Sequence, residues 1–385
     1  MIVSNIHVTK TRDARREAWA ALSRFLNVNY TQRRLIINHL LGNENFRNAN
    51  KQADQIRYCV IQAREYFEAS EKTGLATRPL LQYYGVMSLA LAQILYCSDG
   101  SASLDAARAK HAHHGLRLKQ SENPAKLQNL SDSASALWAV LNAGPAGEPS
   151  GTFALWHRIS REMPLSGKYS RRSANGTGTE QFVVMAAGRD EPMPSLPTSG
   201  ISLLNCIRSL PWLISPSQML GVSPSLVRGT MEAVDDERTN ESISSMILHP
   251  ANSVDLNEFY EKCMFEPRFL HQIDTLGIEV SGLIIHDKRM LGGDPCNVTY
   301  PNAFQISPNE MFFCIGDQSL NEFGLMYVAL FILGNYARYF PDQWMKDIEG
   351  SSPLAQIAET IMEFTNVRGP LLTASVLSQM YILID

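Results

Sequence analysis

The sequence predicts a mainly α protein: a helical core with a small mixed α/β middle region, with α+β as the nearest class. Three observations carry this. Apolar residues recur at three-four spacing through Ile56, Cys59, Val60, Ala63, Tyr66 and Phe67, the stripe of a long amphipathic helix. Residues 79–98 and 323–337 hold no charged side chain, as expected of helices buried on most sides. Between them, Pro and Gly punctuate residues 200–315 while 244–249 and 281–289 read as strands.

Taken in order, residues 11–28 and 31–41 predict a helical pair and 49–71 the long amphipathic helix. Thr73 and Gly74 end that helix, Gly74 being suited to the left-handed position that follows one. Pro79 stands where a first-turn proline is tolerated and opens the uncharged helix towards Cys97. Ser103 is placed to cap a helix running through Arg108 to His114, with Gly115 as its stop. Residues 131–141 and 152–160 add two more helices. The segment 166–178, rich in Gly, Ser and Arg, predicts a loop; 181–187 reads as a strand and 191–200 as a proline-rich connector. From Gln318 the chain turns helical again, to about Tyr339, then from Pro341, over 353–364 and over 370–381. The expected organisation is a basic helical region (1–165), a loop and connector (166–200), an acidic mixed region (201–315), and C-terminal helices packing on the N-terminal core (316–385).

The chain has 385 residues, 45% apolar and 19% charged, which allows a large core and excludes global disorder. Its net charge of −4 conceals a division: residues 1–172 carry 23 Lys+Arg against 13 Asp+Glu, the remainder 11 against 25. A basic half of this kind fits contact with RNA or DNA, contact with a partner protein, or simple attraction to the acidic half. Six cysteines lie far apart with no CxxC pair, as in a reducing compartment. The N-terminus turns charged before any apolar signal core forms, so a cytoplasmic location is expected. Gln82, Ser88 and Gln93 interrupt the first uncharged stretch, and the second is short and holds Asn335; neither predicts a membrane span.

His111, His113 and His114 are the densest ligand-type cluster. On one helix, 111 and 114 share a face while 113 points elsewhere, and no HExxH or cysteine pair completes a site. No metal and no cofactor are expected. Arg108 and His113 are separated by four residues, or by five if His114 is taken instead. This resembles the R-x(4–6)-H motif of HEPN ribonucleases. The resemblance implies a metal-independent ribonuclease built at a homodimer interface, the histidine near the 2′-hydroxyl and the arginine steadying phosphate. Lys110, Arg117 and Lys119 would form the basic approach. Ala109 departs from the family, where that position is commonly polar. The plainer account is a helix end whose cations face its own dipole.

Lys168, Arg171 and Arg172, followed by Asn175, Gly176 and Gly178, could wrap a phosphate but lack the GxxxxGK[ST] order of a P-loop. Asp235, Asp236 and Glu237 beside Arg238 read as a solvated helix end. Glu65 and Arg78 read as buried partners.

Three ordered pieces remain. Residues 63–70 (AREYFEAS) lead to Arg78–Pro79–Leu80–Leu81–Gln82–Tyr83–Tyr84–Gly85; His113–His114–Gly115–Leu116 follows; an apolar helix then ends in Arg338–Tyr339–Phe340–Pro341–Asp342–Gln343–Trp344. Together they resemble the YaaC-like proteins of bacteria, over about residues 45–385. The resemblance implies a bacterial cytoplasmic protein with a helical core and assigns no catalytic residue. Arg78, Tyr83, Tyr84, Arg338 and Trp344 either surround one pocket or brace the core. The leading expectation is a binding or regulatory component, in a defence or nucleic-acid-linked system. The alternatives are the HEPN-like ribonuclease using Arg108 with His113 or His114, and a nucleotide- or metabolite-binding protein.

Overall fold

The computed structural model describes residues 5–39, 46–98, 102–110, 113–144, 147–161, 166–172, 179–185, 193–236, 241–249, 270–276, 280–290, 303–307, 310–315 and 319–384. Its helices are α1 (Ala14–Ser23), α2 (Val28–His39), α3 (Phe46–Glu71), α4 (Arg78–Cys97), α5 (Leu104–Lys110), α6 (Leu130–Ser135), α7 (Thr152–Ile159), α8 (Leu203–Ser209), α9 (Ile214–Met219), α10 (Glu322–Tyr339), α11 (Pro341–Glu349) and α12 (Pro353–Ser378). The strands are β1 (Asn5–Thr9), β2 (Leu116–Gln120), β3 (Leu137–Leu141), β4 (Ser166–Arg172), β5 (Thr179–Met185), β6 (Ile201–Ser202), β7 (Leu226–Asp236), β8 (Glu241–His249), β9 (Leu270–Leu276), β10 (Val280–Met290), β11 (Ala303–Ser307), β12 (Glu310–Cys314) and β13 (Met380–Ile384). The protein is mainly α, and its mixed character concentrates in the middle of the chain.

Helix α4 is the centre of the core, against α3, α7, α10 and α12. Among the described residues it is the one helix long and apolar enough to cross a membrane, and 67% of its most apolar window is buried inside the protein. Its polar residues explain that burial. Gln82 Nε2 donates to the Met362 carbonyl (3.1 Å) and to Asn366 Oδ1 (3.0 Å) on α12. Gln93 donates to Thr373 Oγ1 (2.8 Å) and accepts from the Trp156 indole of α7 (2.8 Å). Such buried amides fix which helices meet, since each unmatched one would cost about 1–3 kcal/mol. Two glycines permit close crossings: a Cβ on Gly85 would sit 2.9 Å from the Phe67 ring, and one on Gly334 would sit 3.3 Å from Leu80 Cα. Thus the C-terminal helices α10 and α12 share one core with the N-terminal α3 and α4, and β1 pairs in parallel with β13.

The middle strands form an eight-stranded sheet in the order β11-β12-β7-β8-β10-β9, with β4 and β5 joined beside β7. Along one edge of the long β7, β12 covers Leu226–Gly229 and β4 covers Glu232–Asp236. A buried ion pair ties this sheet to the helices. Arg368 of α12 grips Glu322 of α10 in a two-bond fork (2.7 and 2.5 Å) and donates to the Gln305 carbonyl of β11 (3.0 Å). The Trp212 indole adds a third donor to Glu322 (3.0 Å), and the Tyr381 hydroxyl a second to the Gln305 carbonyl (2.7 Å).

Several expectations are corrected. Residues 131–141 are not one helix: α6 stops at Ser135 and β3 pairs antiparallel with β2, its Trp138 and Val140 suiting a strand. The basic segment 166–172 is strand β4 rather than loop, because β5 and β7 supply partners for its backbone. Asp235 and Asp236 end a strand, not a helix. Pro370 starts no new helix; α12 runs through it. The proline forgoes one backbone bond at a cost of about 3 kcal/mol, offset by burial of every residue from Arg368 to Ser375. Gly74 has no positive φ; instead its carbonyl accepts from Thr77 and Arg78 and leads into α4. Finally, α5 ends at Lys110, and His113 and His114 stand outside any helix, just before β2. His111 lies outside the described residues, as do the side chains of Arg108 and Lys110.

Candidate functional site

The motif His113–His114–Gly115 is an anchoring segment for α7. The His113 carbonyl accepts from Thr152 N (2.9 Å) and the His114 carbonyl from Phe153 N (3.0 Å), two amides that the start of a helix leaves unpaired. The approach requires glycine on both sides. Gly115 has φ +88° and Gly151 φ +92°; a Cβ on Gly115 would meet the Ser150 carbonyl at 2.8 Å, and one on Gly151 would run into Gly115 itself.

This anchoring presents the His114 ring to α4. Tyr83 and Tyr84 are sequence neighbours, so the helix turns their rings about 100° apart. Tyr83 is buried, its ring edge-on to Tyr327 (5.9 Å) and Phe331 (5.5 Å) of α10 and to His114 (5.6 Å). Burial pushes its hydroxyl well above the usual phenol value, and the neighbouring Tyr327 adds to the effect. Tyr84 is half-buried and faces outwards. Its ring stacks on Tyr66 of α3 (5.6 Å, 27°) and lies 6.2 Å from His114. Its hydroxyl accepts from Arg338 Nη1 (3.3 Å), and the exposed guanidinium also lies over the Tyr339 ring (5.1 Å). Three separate sequence motifs therefore converge: the start of α4, the histidine segment and the end of α10 meet at Tyr84.

Residues 18–132 match the YaaC-like protein family. The YaaC-like segment spans most of α1 through the middle of α6, and includes Tyr66, Tyr84 and His114; Arg338 lies beyond it. No curated protein and no solved structure matches the chain.

The other predicted residues divide. Trp344 is buried, donates its indole N–H to the Leu75 carbonyl (3.1 Å) and packs on Tyr336, so it braces the core. Arg78 is half-buried with its Nε unpartnered, while Glu65 is exposed, and no ion pair joins them among the described residues. Arg117 and Lys119 are exposed positions of β2. Lys168, Arg171 and Arg172 face Glu232, Asp235 and Asp236 in backbone register, so opposite charges stand at paired positions; their side chains lie outside the described residues. Sequence reading assigned Tyr66 to the core stripe; its half-exposure and its stack on Tyr84 could be signalled only by the family motif containing it. Among the described residues no three His, Cys, Asp or Glu cluster as metal ligands.

The two histidines differ chemically. His113 Nδ1 accepts from Gly115 N (3.1 Å), which puts the neutral ring's proton on Nε2, facing Ser150 Oγ (3.2 Å). A ring so arranged donates to Ser150 and cannot take its proton. The partly buried His114 is held below the usual imidazole value, first by burial and then by Arg338 and His113. The surface thus offers a stackable tyrosine, a guanidinium hydrogen-bonded to its hydroxyl and a partly buried imidazole.

Proposed function

We propose that this protein is a binding component that recognises a nucleotide, free or within a single strand, on the surface built by Tyr66, Tyr84, His114 and Arg338. One observation carries the reading: Tyr84 stands half-exposed between an aromatic stack and a guanidinium held by its own hydroxyl. A planar base gains about 1–3 kcal/mol by stacking on such a ring, and a guanidinium donates to phosphate oxygens in a fork. The basic N-terminal half supports an anionic ligand. A nucleic-acid-linked or defence role in a bacterial cytoplasm follows as the setting for such a component.

Equilibrium titration of AMP, ATP and a short single-stranded oligonucleotide tests it. Tyr84→Ala should weaken binding about 5- to 150-fold, as a loss of about 1–3 kcal/mol requires. Wild-type protein that binds none of the three, or a variant that binds all unchanged, would overturn it. The ribonuclease alternative requires His113 or His114 to move protons beside Arg108; the His113 ring is engaged with Gly115 and Ser150, and His114 stands outside the helix that holds Arg108. Labelled RNA incubated with wild-type protein in EDTA should therefore stay intact. Cleavage lost in Arg108→Ala would reverse that expectation.

A further inference from the structure

We propose that His114 is the second anion-contacting side chain of this surface, and that it takes up a proton when a ligand carrying a phosphate monoester binds. This rests on the nucleotide reading above and names its ligand class more narrowly. His39, His113 and His157 each engage an oxygen through a ring nitrogen: the Tyr96 carbonyl at 2.7 Å, Ser150 Oγ at 3.2 Å and the Ser319 carbonyl at 3.0 Å. His114, with its ring packed on Tyr83 and Tyr84, has no hydrogen-bond partner for either nitrogen among the described residues. It shares Tyr84 with Arg338, so one phosphate bound at that tyrosine would have the guanidinium and the imidazole as neighbours.

Among the described residues, the groups facing the ring are few. Helix α4 contributes the two tyrosines, α10 contributes Arg338, and its own segment contributes His113. Helix α7 meets this segment through backbone, Phe153 N to the His114 carbonyl. No carboxylate among these groups compensates an imidazolium, and burial, then Arg338, disfavour the protonated ring in the free protein. A phosphate brings the absent counter-charge and favours the protonated ring. A monoester, with a second ionisation near pH 6, offers two charges where an internal diester offers one. The expected preference is for a nucleoside monophosphate or a phosphorylated strand end over an internal phosphate.

Isothermal titration in two buffers of different ionisation enthalpy counts the protons. The ligands are AMP, adenosine, and one trinucleotide with and without a 5′-phosphate. Wild type should take up protons with AMP and with the phosphorylated trinucleotide. His114→Gln should lose that uptake and about 10- to 100-fold of the affinity for AMP, as loss of one charge-assisted contact implies, a larger loss than it shows for adenosine. A melting curve for His114→Gln near that of wild type establishes that the variant folds. Binding without uptake, or with the same uptake in His114→Gln, overturns the assignment and leaves the nucleotide reading standing. Absence of binding by every ligand overturns both. AMP and the phosphorylated trinucleotide separate a free nucleotide from a strand end.

Discussion

Gly115 holds the histidine segment against α7, so its replacement should injure both stability and binding. Gly115→Ala forces a Cβ onto a backbone with φ +88° and brings it within 2.8 Å of the Ser150 carbonyl and 3.0 Å of Phe153 N. The left-handed conformation costs about 1–2 kcal/mol and the overpacking about 1–3 kcal/mol. Together that is about 2–5 kcal/mol. An unfolding entropy of about 2.1 cal/mol/K per residue converts this to a fall in Tm of about 3–6 °C for a chain of this length. Two glycines isolate the contributions. Gly147 has φ +86° but nothing within 4 Å of an added Cβ, so Gly147→Ala should fall by only about 1–2 °C. Gly74 has open space and no positive φ, so Gly74→Ala should be unchanged or gain up to about 1 °C. Differential scanning calorimetry of the three variants checks the order. Gly115→Ala melting within a degree of wild type, or no lower than Gly147→Ala, would refute the reasoning.

The buried fork predicts a second asymmetry: Arg368→Met leaves Glu322 without its cation and should cost about 3–5 kcal/mol, while Arg368→Met with Glu322→Leu should recover most of it, read by urea unfolding. A double variant no more stable than the single would contradict this. The pH dependence has a definite sign. His114 and His157 are both held below their unfolded value, chiefly by burial, so the unfolded chain binds their protons first. Their contribution is full above about pH 6.5 and is lost as pH falls through that value towards the folded ones. Asp347, raised by burial, acts oppositely and in the carboxylate range. Tm should therefore drop between pH 7.5 and 5.5, less so in His157→Gln; a rise over that interval would contradict the account.

Helical periodicity made α3, α4 and α10 legible, because a stripe of buried apolar residues is a local property of the chain. So was the reading of α4 as a core helix, through Gln82 and Gln93. What the local pattern hid was pairing. Residues 166–172 look like a loop until β7 lies beside them, and Leu137–Leu141 continues a helix until β2 offers its edge. Pro370 reads as a helix start because the burial that carries α12 through it comes from distant chain. The candidate site was half legible. Tyr84, Arg338 and His114 were each singled out, but in separate motifs, and spacing put His114 on a helix with Arg108. Only the glycine pair Gly115 and Gly151, far apart in sequence, explains why the histidine leaves the helix and turns to Tyr84.

The most direct test is a calorimetric titration of AMP into wild-type protein and into Arg338→Ala. Arg338 is exposed and, among the described residues, its side chain donates only to Tyr84, so the substitution should leave folding intact. Saturable binding by wild type, weakened at least about 10-fold in Arg338→Ala, is the predicted result. Equal affinity in the two proteins, or no binding by wild type, would contradict the account.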